Sequence, residues 1–290
     1  MYDDILLPVD GSEGASPVLH HAAELAQWAD ATVRVLHVAD TTRDSVTTVG
    51  KTVVDALVQQ GEEIVAEAAE TFETLGVEHD TVVVQGGPAE TVVEYADAEG
   101  FDLVVMPTHG RTGLKRHLLG SVTEKVVRLT DVPVLTARLP EEGRIAFPYE
   151  RVLIPTDGST AATRAAEHGL ALADALDATV HVLSVVDDYS LGIDVRSVTM
   201  SEELESAAQS AVDDVLADAE ARGLEAVGHV EHGAPADAIR DTVEETDAQA
   251  VVMGTTGRRG VARVLLGSVA EQTVRTSPVP VVTVRHERED

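Results

Sequence analysis

The chain has 290 residues, with 51 acidic against 21 basic side chains and a formal charge of −30, a field that repels nucleic acid and anionic membrane surfaces. Hydrophobic residues make up 44% but aromatics only 3%, so the core is expected to be Val, Leu, Ile and Ala, as in buried parallel strands under Ala-rich helices. Cysteine is absent, which excludes disulfides and thiolate metal sites. No stretch approaches the roughly 18 apolar residues of a membrane span.

In chain order, residues 5–9 (ILLPV) form a short apolar run that predicts a buried strand. Leu19, Ala22, Ala23 and Ala26 then share one face of a predicted helix. Residues 32–38, β-branched and apolar, predict a second strand. Val65, Ala68, Ala69 and Phe72 repeat the helical spacing, with Glu62, Glu63, Glu67, Glu70 and Glu73 mostly outward, and Gly76 is placed to end that helix. Residues 81–84 predict a third strand, Pro88 opens a short helix, and residues 103–106 predict a fourth strand. A glycine-bearing loop follows, then a helix from Ser121 and a fifth strand at 134–137.

The whole order then recurs. ILLPVDGS at Ile5 returns as VLIPTDGS at Val152, and TVRVLHV at Thr32 as TVHVLSV at Thr179. GGPAETV at Gly86 returns as GAPADAI at Gly233, and GRTGLKRHLLGSVTEKVVR at Gly110 as GRRGVARVLLGSVAEQTVR at Gly257. Every pair is 147 residues apart, so no net insertion separates the landmarks. The chain therefore reads as two copies of one domain, residues 1–139 and 149–290, joined by a linker at 140–148. Strands alternating with helices predict α/β domains, each a parallel sheet with helices on both faces. In such sheets ligands sit beyond the carboxyl ends of the strands, where the strand order reverses.

Two loops of each copy have the chemistry for this. After the first strand stands Asp10, repeated as Asp157, a carboxylate able to accept from the vicinal hydroxyls of a ribose; Asp-Gly-Ser is equally turn chemistry. After the fourth strand, Gly120-Ser121-Val122 and Gly267-Ser268-Val269 lead straight into a helix, whose first amides suit an anion. The sequences SVTE and SVAE also match a capping box, with Ser121 answered by Glu124 and Ser268 by Glu271. Upstream, Arg111, Lys115 and Arg116 in copy one, and Arg258, Arg259 and Arg263 in copy two, reverse the local sign of a strongly acidic chain, which favours a polyanion, with a surface ion-pair loop as the alternative. SVTTVGKT at 45–52 ends like a phosphate-binding loop but has Ser45 where the first glycine belongs. The histidines show no metal spacing, and the adjacent His20 and His21 point different ways on a helix.

Gly254, Gly257 and Gly267-Ser268 together form G-2x-G-9x-G-S, which resembles the ATP-binding signature of universal stress proteins. With PTDGS and HVLSVVDD the resemblance covers both copies and nearly the whole chain. It implies tandem Rossmann-like domains of the adenine-nucleotide α-hydrolase-like kind, each a five-stranded parallel sheet of order 3-2-1-4-5. It further implies that Asp157 binds the ribose, that the Val185 backbone meets adenine, and that Gly254 and Gly257 line the ribose and phosphate approach. Gly267, Ser268 and Val269 would bind phosphates. The matching positions in copy one are Asp10, Val38, Gly110, Gly120, Ser121 and Val122; there the first signature glycine is replaced by Pro107.

The resemblance implies an adenine nucleotide (ATP, ADP or AMP) with Mg²⁺ held by the phosphates and water. It also implies pairing through the last strand, VPVLTARL with VPVVTVRH, as a pseudo-dimer within the chain or as a homodimer. The expected role is nucleotide-dependent regulation in a stress response through a protein partner that the sequence does not name, with slow ATP hydrolysis at most, since no residue stands out as a base. The alternatives are an interaction module without nucleotide, or an α-hydrolase-like enzyme, which the absence of any insertion disfavours. The opening MYDDILLPVD lacks the basic and apolar regions of a signal peptide, so a cytoplasmic location is expected. A salt-rich, halophilic cytoplasm would screen the self-repulsion of the chain.

Overall fold

The computed structural model describes residues 1–12, 16–42, 51–108, 119–138, 145–187, 198–257 and 266–285. The chain divides into two compact units, Met1–Phe147 and Pro148–Asp290. The first contains β1 (Asp4–Pro8), α1 (Ser16–Ala29), β2 (Thr32–Asp40), α2 (Lys51–Leu75) and β3 (His79–Gly86). It continues with α3 (Pro88–Glu99), β4 (Leu103–Pro107), α4 (Ser121–Leu129) and β5 (Val134–Ala137). The second contains β6 (Arg151–Pro155), α5 (Thr160–Leu176), β7 (Thr179–Val186), α6 (Val198–Arg222) and β8 (Ala226–His232). It ends with α7 (Pro235–Thr246), β9 (Ala250–Gly254), α8 (Ser268–Thr276) and β10 (Val281–Val284).

Within the first unit the strand order is β3-β2-β1-β4-β5, and within the second β8-β7-β6-β9-β10, with neighbouring strands of each unit parallel. The registers repeat with the sequence offset. Asp4 faces Thr32 as Arg151 faces Thr179, and Val104 faces Val134 as Val251 faces Val281. The central strands are buried on both faces, as the continuous apolar runs require: Ile5, Leu6 and Leu7, and Val152, Leu153 and Ile154, are essentially inaccessible.

Small residues let the covering helices approach closely. A Cβ added at Gly169 of α5 would lie 2.8 Å from Ile154 Cδ1 and 3.2 Å from Val252 Cβ. Left-handed residues end several helices: Gly76 after α2 at φ +69°, where the sequence predicts the stop, and also Gly100 after α3 at φ +75° and Asp247 after α7 at φ +50°. Elements exceed their predicted lengths mainly at the outer strands. β3 runs from His79 to Gly86 rather than 81–84, because ladder pairing with β2 extends beyond the apolar segment. No helix among the described residues is long and apolar enough to cross a membrane.

Candidate functional site

In each unit the order reverses between the first and fourth strands, β1 and β4 or β6 and β9. Their carboxyl ends define the crevice. In the second unit β6 stops at Pro155, which cannot extend the ladder with an N–H. Thr156 closes onto β7 by donating to the Leu183 carbonyl at 2.8 Å. The chain then turns through Gly158 at φ +70°, a conformation natural to glycine. This turn presents Asp157. The Ser159 amide donates to Asp157 Oδ1 at 3.0 Å, and Ser159 caps α5 by accepting from the Ala162 amide at 3.3 Å. Asp157 is thus a turn former, as one reading of Asp-Gly-Ser required, but its second oxygen faces elsewhere.

That oxygen faces Gly257. A Cβ at Gly257 would stand 2.7 Å from Asp157 Oδ2. Gly254, the last residue of β9, is as confined on the other side. A Cβ there would meet the Ala161 carbonyl oxygen at 2.9 Å and its carbon at 3.0 Å, main-chain atoms of the first turn of α5. Neither glycine adopts a positive φ. Their role is close approach of backbone to the α5 start and to the carboxylate. The loop then returns, with the Gly267 amide donating to the Thr255 carbonyl at 2.8 Å. The Gly267 amide is therefore engaged within the loop.

Ser121 and Ser268 are not helix caps, which corrects the capping-box reading. Gly120 and Gly267 hold the cap positions, in extended conformation, and neither helix start has a side-chain cap bond. The Gly120 and Gly267 carbonyls accept from the Glu124 and Glu271 amides at 2.8 and 2.9 Å, which makes each serine the first helical residue. Its hydroxyl is exposed beside the first amides, those of Ser268, Val269 and Ala270 in α8. These amides point out of the helix start without intrahelical acceptors, at the positive end of the helix dipole.

Val185 belongs to the same crevice for a topological reason. Alternate residues of β7 direct amide and carbonyl to opposite neighbours. The Thr179 amide and Leu183 carbonyl bond on the β6 side, whereas the Val180 amide and Val186 carbonyl bond on the β8 side. Val185 therefore directs its amide and carbonyl to the side on which β6 has already ended. Val38 stands in the same relation to β1, since the Thr32 amide and Leu36 carbonyl face that strand. The structure thus brings Asp157, Gly254, Gly257, Gly267 and Ser268 around one strand-end crevice, with the Val185 backbone at its edge.

The first unit repeats most of this. Asp10 Oδ1 accepts from the Ser12 amide at 3.0 Å after Gly11 at φ +72°, and the Gly120 amide donates to the Thr108 carbonyl at 2.8 Å. The difference is at the strand end. Pro107 replaces glycine, and its carbonyl accepts from Thr123 Oγ1 at 2.9 Å. The second unit has Ala270 at the position of Thr123, so the Gly254 carbonyl has no such hydroxyl donor there. The proline was legible in the signature; the hydrogen bond that accompanies it was not. Gly110, Arg111, Lys115, Arg116, Arg258, Arg259 and Arg263 lie outside the described residues, as does most of the SVTTVGKT segment.

The profile of the universal stress protein family matches residues 1–138 and 148–285. The chain is 35% identical over 149 residues to universal stress protein MJ0531 of Methanocaldococcus jannaschii, across 49% of this chain and 85% of that one. It is 29% identical over 252 residues to universal stress protein Mb2028c of Mycobacterium bovis, covering 78% of this chain and 77% of that one. The crystal structure of a universal stress protein from Archaeoglobus fulgidus DSM 4304 superimposes with a TM-score of 0.75 at 26% identity, covering 97% of this chain and 98% of that chain. Two matching segments account for nearly all of the sequence, and a full-length structural relative shares their arrangement of strands and helices: the chain belongs to the universal stress protein family, with two family domains in tandem.

Proposed function

We propose that the second unit binds an adenine nucleotide and that this binding serves a regulatory role in a stress response. The observation that carries the reading is the approach of Gly257 to Asp157. Only a residue without a side chain can stand there, which keeps a Cβ off the carboxylate that would accept from a ribose. The Val185 amide and carbonyl suit the hydrogen-bonding edge of a base, and the start of α8 suits phosphates. These groups fit a nucleoside with a phosphate tail. Mg²⁺ would be held by the phosphates and water, since no group of three or more His, Asp or Glu side chains among the described residues is placed to cage a metal. The chain's own residues bind and orient the nucleotide, with slow hydrolysis at most.

The first unit supports a different reading. Pro107 adds a ring where the second unit requires a bare Cα, and Thr123 occupies its carbonyl. We infer one principal nucleotide site per chain, with the first unit serving an interaction role. Titration of the intact chain with ATP, ADP and AMP tests both points. The expected result is one strong site, weakened about ten- to a hundredfold by Asp157→Ala, as for loss of a charge-assisted bond of about 1.5–3 kcal/mol. Asp10→Ala should leave that site unchanged. Two equal sites would refute the asymmetry, and an affinity indifferent to Asp157→Ala would move the ribose contact elsewhere.

A further inference from the structure

His181 of β7 and His229 of β8 are 48 residues apart in sequence, yet His181 Nδ1 stands 3.1 Å from His229 Nε2. The register explains the meeting. Leu183 faces His229 and His181 faces Val227, so the two imidazoles are diagonal neighbours across a parallel pair. They also share a face of the sheet. A Cβ at Gly228 would meet Val212 and Leu216 of α6, so His229, one residue on, projects to the opposite side. Their ring centroids are 5.3 Å apart and the planes are inclined by only 32°. Both side chains are half-buried, accessible to solvent from one side.

The geometry points to a transition-metal site at this pair, and we propose that His181 Nδ1 and His229 Nε2 together ligate a divalent ion such as Zn²⁺, Ni²⁺ or Cu²⁺, with water completing the coordination. Two nitrogens each about 2.0–2.1 Å from one ion stand about 2.9 Å apart at a right angle and about 3.3 Å apart at the tetrahedral angle. The observed 3.1 Å lies between them. A small rotation of either ring converts the nitrogen-to-nitrogen contact into a chelate. Ligation needs neutral imidazole, and the surroundings favour it at His181. Burial pushes its pKa down, and His229 and Arg151 act in the same direction, while Glu225 opposes them. The repeat provides an internal contrast. The first unit has Arg34 and Val82 at these positions, and Arg34 is engaged by the Asp80 carboxylate and the Tyr95 hydroxyl. The histidine pair therefore belongs to one unit and is not a requirement of the shared fold.

The site is separate from the nucleotide crevice. His181 lies four residues before Val185, about 13 Å along the strand. It has two protein ligands, since no third His, Asp or Glu among the described residues completes a cluster. Moderate affinity and a preference for nitrogen-seeking ions over Mg²⁺ or Ca²⁺ are expected.

The test is titration of the full chain with Cu²⁺ and Zn²⁺ in molar KCl and excess Mg²⁺, which occupy the acidic surface. Binding is followed by calorimetry, and the Cu²⁺ complex by electron paramagnetic resonance. The expected result is one ion per chain with hyperfine coupling to two imidazole nitrogens. His181→Ala or His229→Ala should lower the affinity by about tenfold or more, because loss of a mere supporting partner already costs that much. His229→Asn, which keeps a polar group at the edge, should lose the ion while keeping the thermal transition, separating ligation from folding. Asp157→Ala should leave metal binding untouched. Absence of a saturable one-to-one site, or binding insensitive to His229→Ala and His229→Asn, would show the contact to be only a hydrogen bond and overturn the proposal.

Discussion

At the scale of single residues, Gly254 shows why a signature position is occupied by glycine. Its φ is ordinary; what excludes a side chain is the α5 backbone, 2.9 Å from where a Cβ would sit. Gly254→Ala is expected to displace the α5 start and with it Asp157, lowering nucleotide affinity more than stability. Parallel binding and melting measurements check this, and an unchanged affinity would show that the approach has slack. The buried imidazoles make a second prediction. His21 in α1 and His168 in α5 occupy matching positions, and burial pushes each down to about 4 from the ordinary 6.5. The fold holds them neutral, whereas the unfolded chain takes up protons below about pH 6.5. Stability should therefore be unaffected by these groups above that pH and fall as pH drops toward 4. At His21, which is almost inaccessible, the loss amounts to about 3 kcal/mol at most; His168 is less covered and contributes less. Denaturant midpoints across that range should show a drop that His21→Gln reduces; a flat profile would contradict it.

At the scale of elements, the arrangement depends on how closely helices settle on the sheet. α5 rests on β6 and β9 through Gly169, where the next atoms are Ile154 Cδ1 and Val252 Cβ. Gly169→Leu should cost about 1–3 kcal/mol by overpacking, despite the better helix propensity of leucine. Because α5 also carries the backbone against Gly254, the same substitution should weaken nucleotide binding. Urea unfolding and nucleotide titration of this variant check both effects, and loss of stability without loss of binding would show that α5 and the crevice are not coupled. The starts of α4 and α8 show how little local sequence separates two uses of one element. The same Gly-Ser pair opens both helices, but in the first unit Thr123 of α4 binds the preceding strand end at Pro107.

At the scale of the whole molecule, charge dominates. A formal charge of −30 on 290 residues means mutual repulsion, which ordinary ionic strength leaves unscreened between neighbours closer than about 8–10 Å. Stability is expected to rise with KCl into the molar range, beyond the concentration at which simple screening saturates in less acidic proteins. Melting temperatures measured along a KCl series check this, and a transition indifferent to salt would mean that the acidic surface is accommodated without it. Salt screening and the protonation of buried imidazoles act in different conditions, one along ionic strength at fixed pH and the other along pH at fixed salt, so the two effects can be measured apart.

The sequence by itself determined the two-domain organisation, the alternation of strands and helices, and the spacing of Gly254, Gly257 and Gly267, to which only the family resemblance joined Asp157. Repeats, periodicity and glycine spacing are local or linear properties, and they survive in a one-dimensional reading. It left open whether Ser121 and Ser268 cap their helices, because a capping-box pattern does not say at which residue the helix starts; the Glu124 and Glu271 amides decide that by bonding to glycine carbonyls. Only the tertiary structure decided that Gly257 lies against Asp157, that Thr123 occupies the Pro107 carbonyl, and that His181 meets His229. The His181–His229 contact joins segments 48 residues apart through parallel strand pairing, and the other two join a strand-end loop to a neighbouring loop or helix start; none of this leaves a mark in the spacing of the residues it brings together.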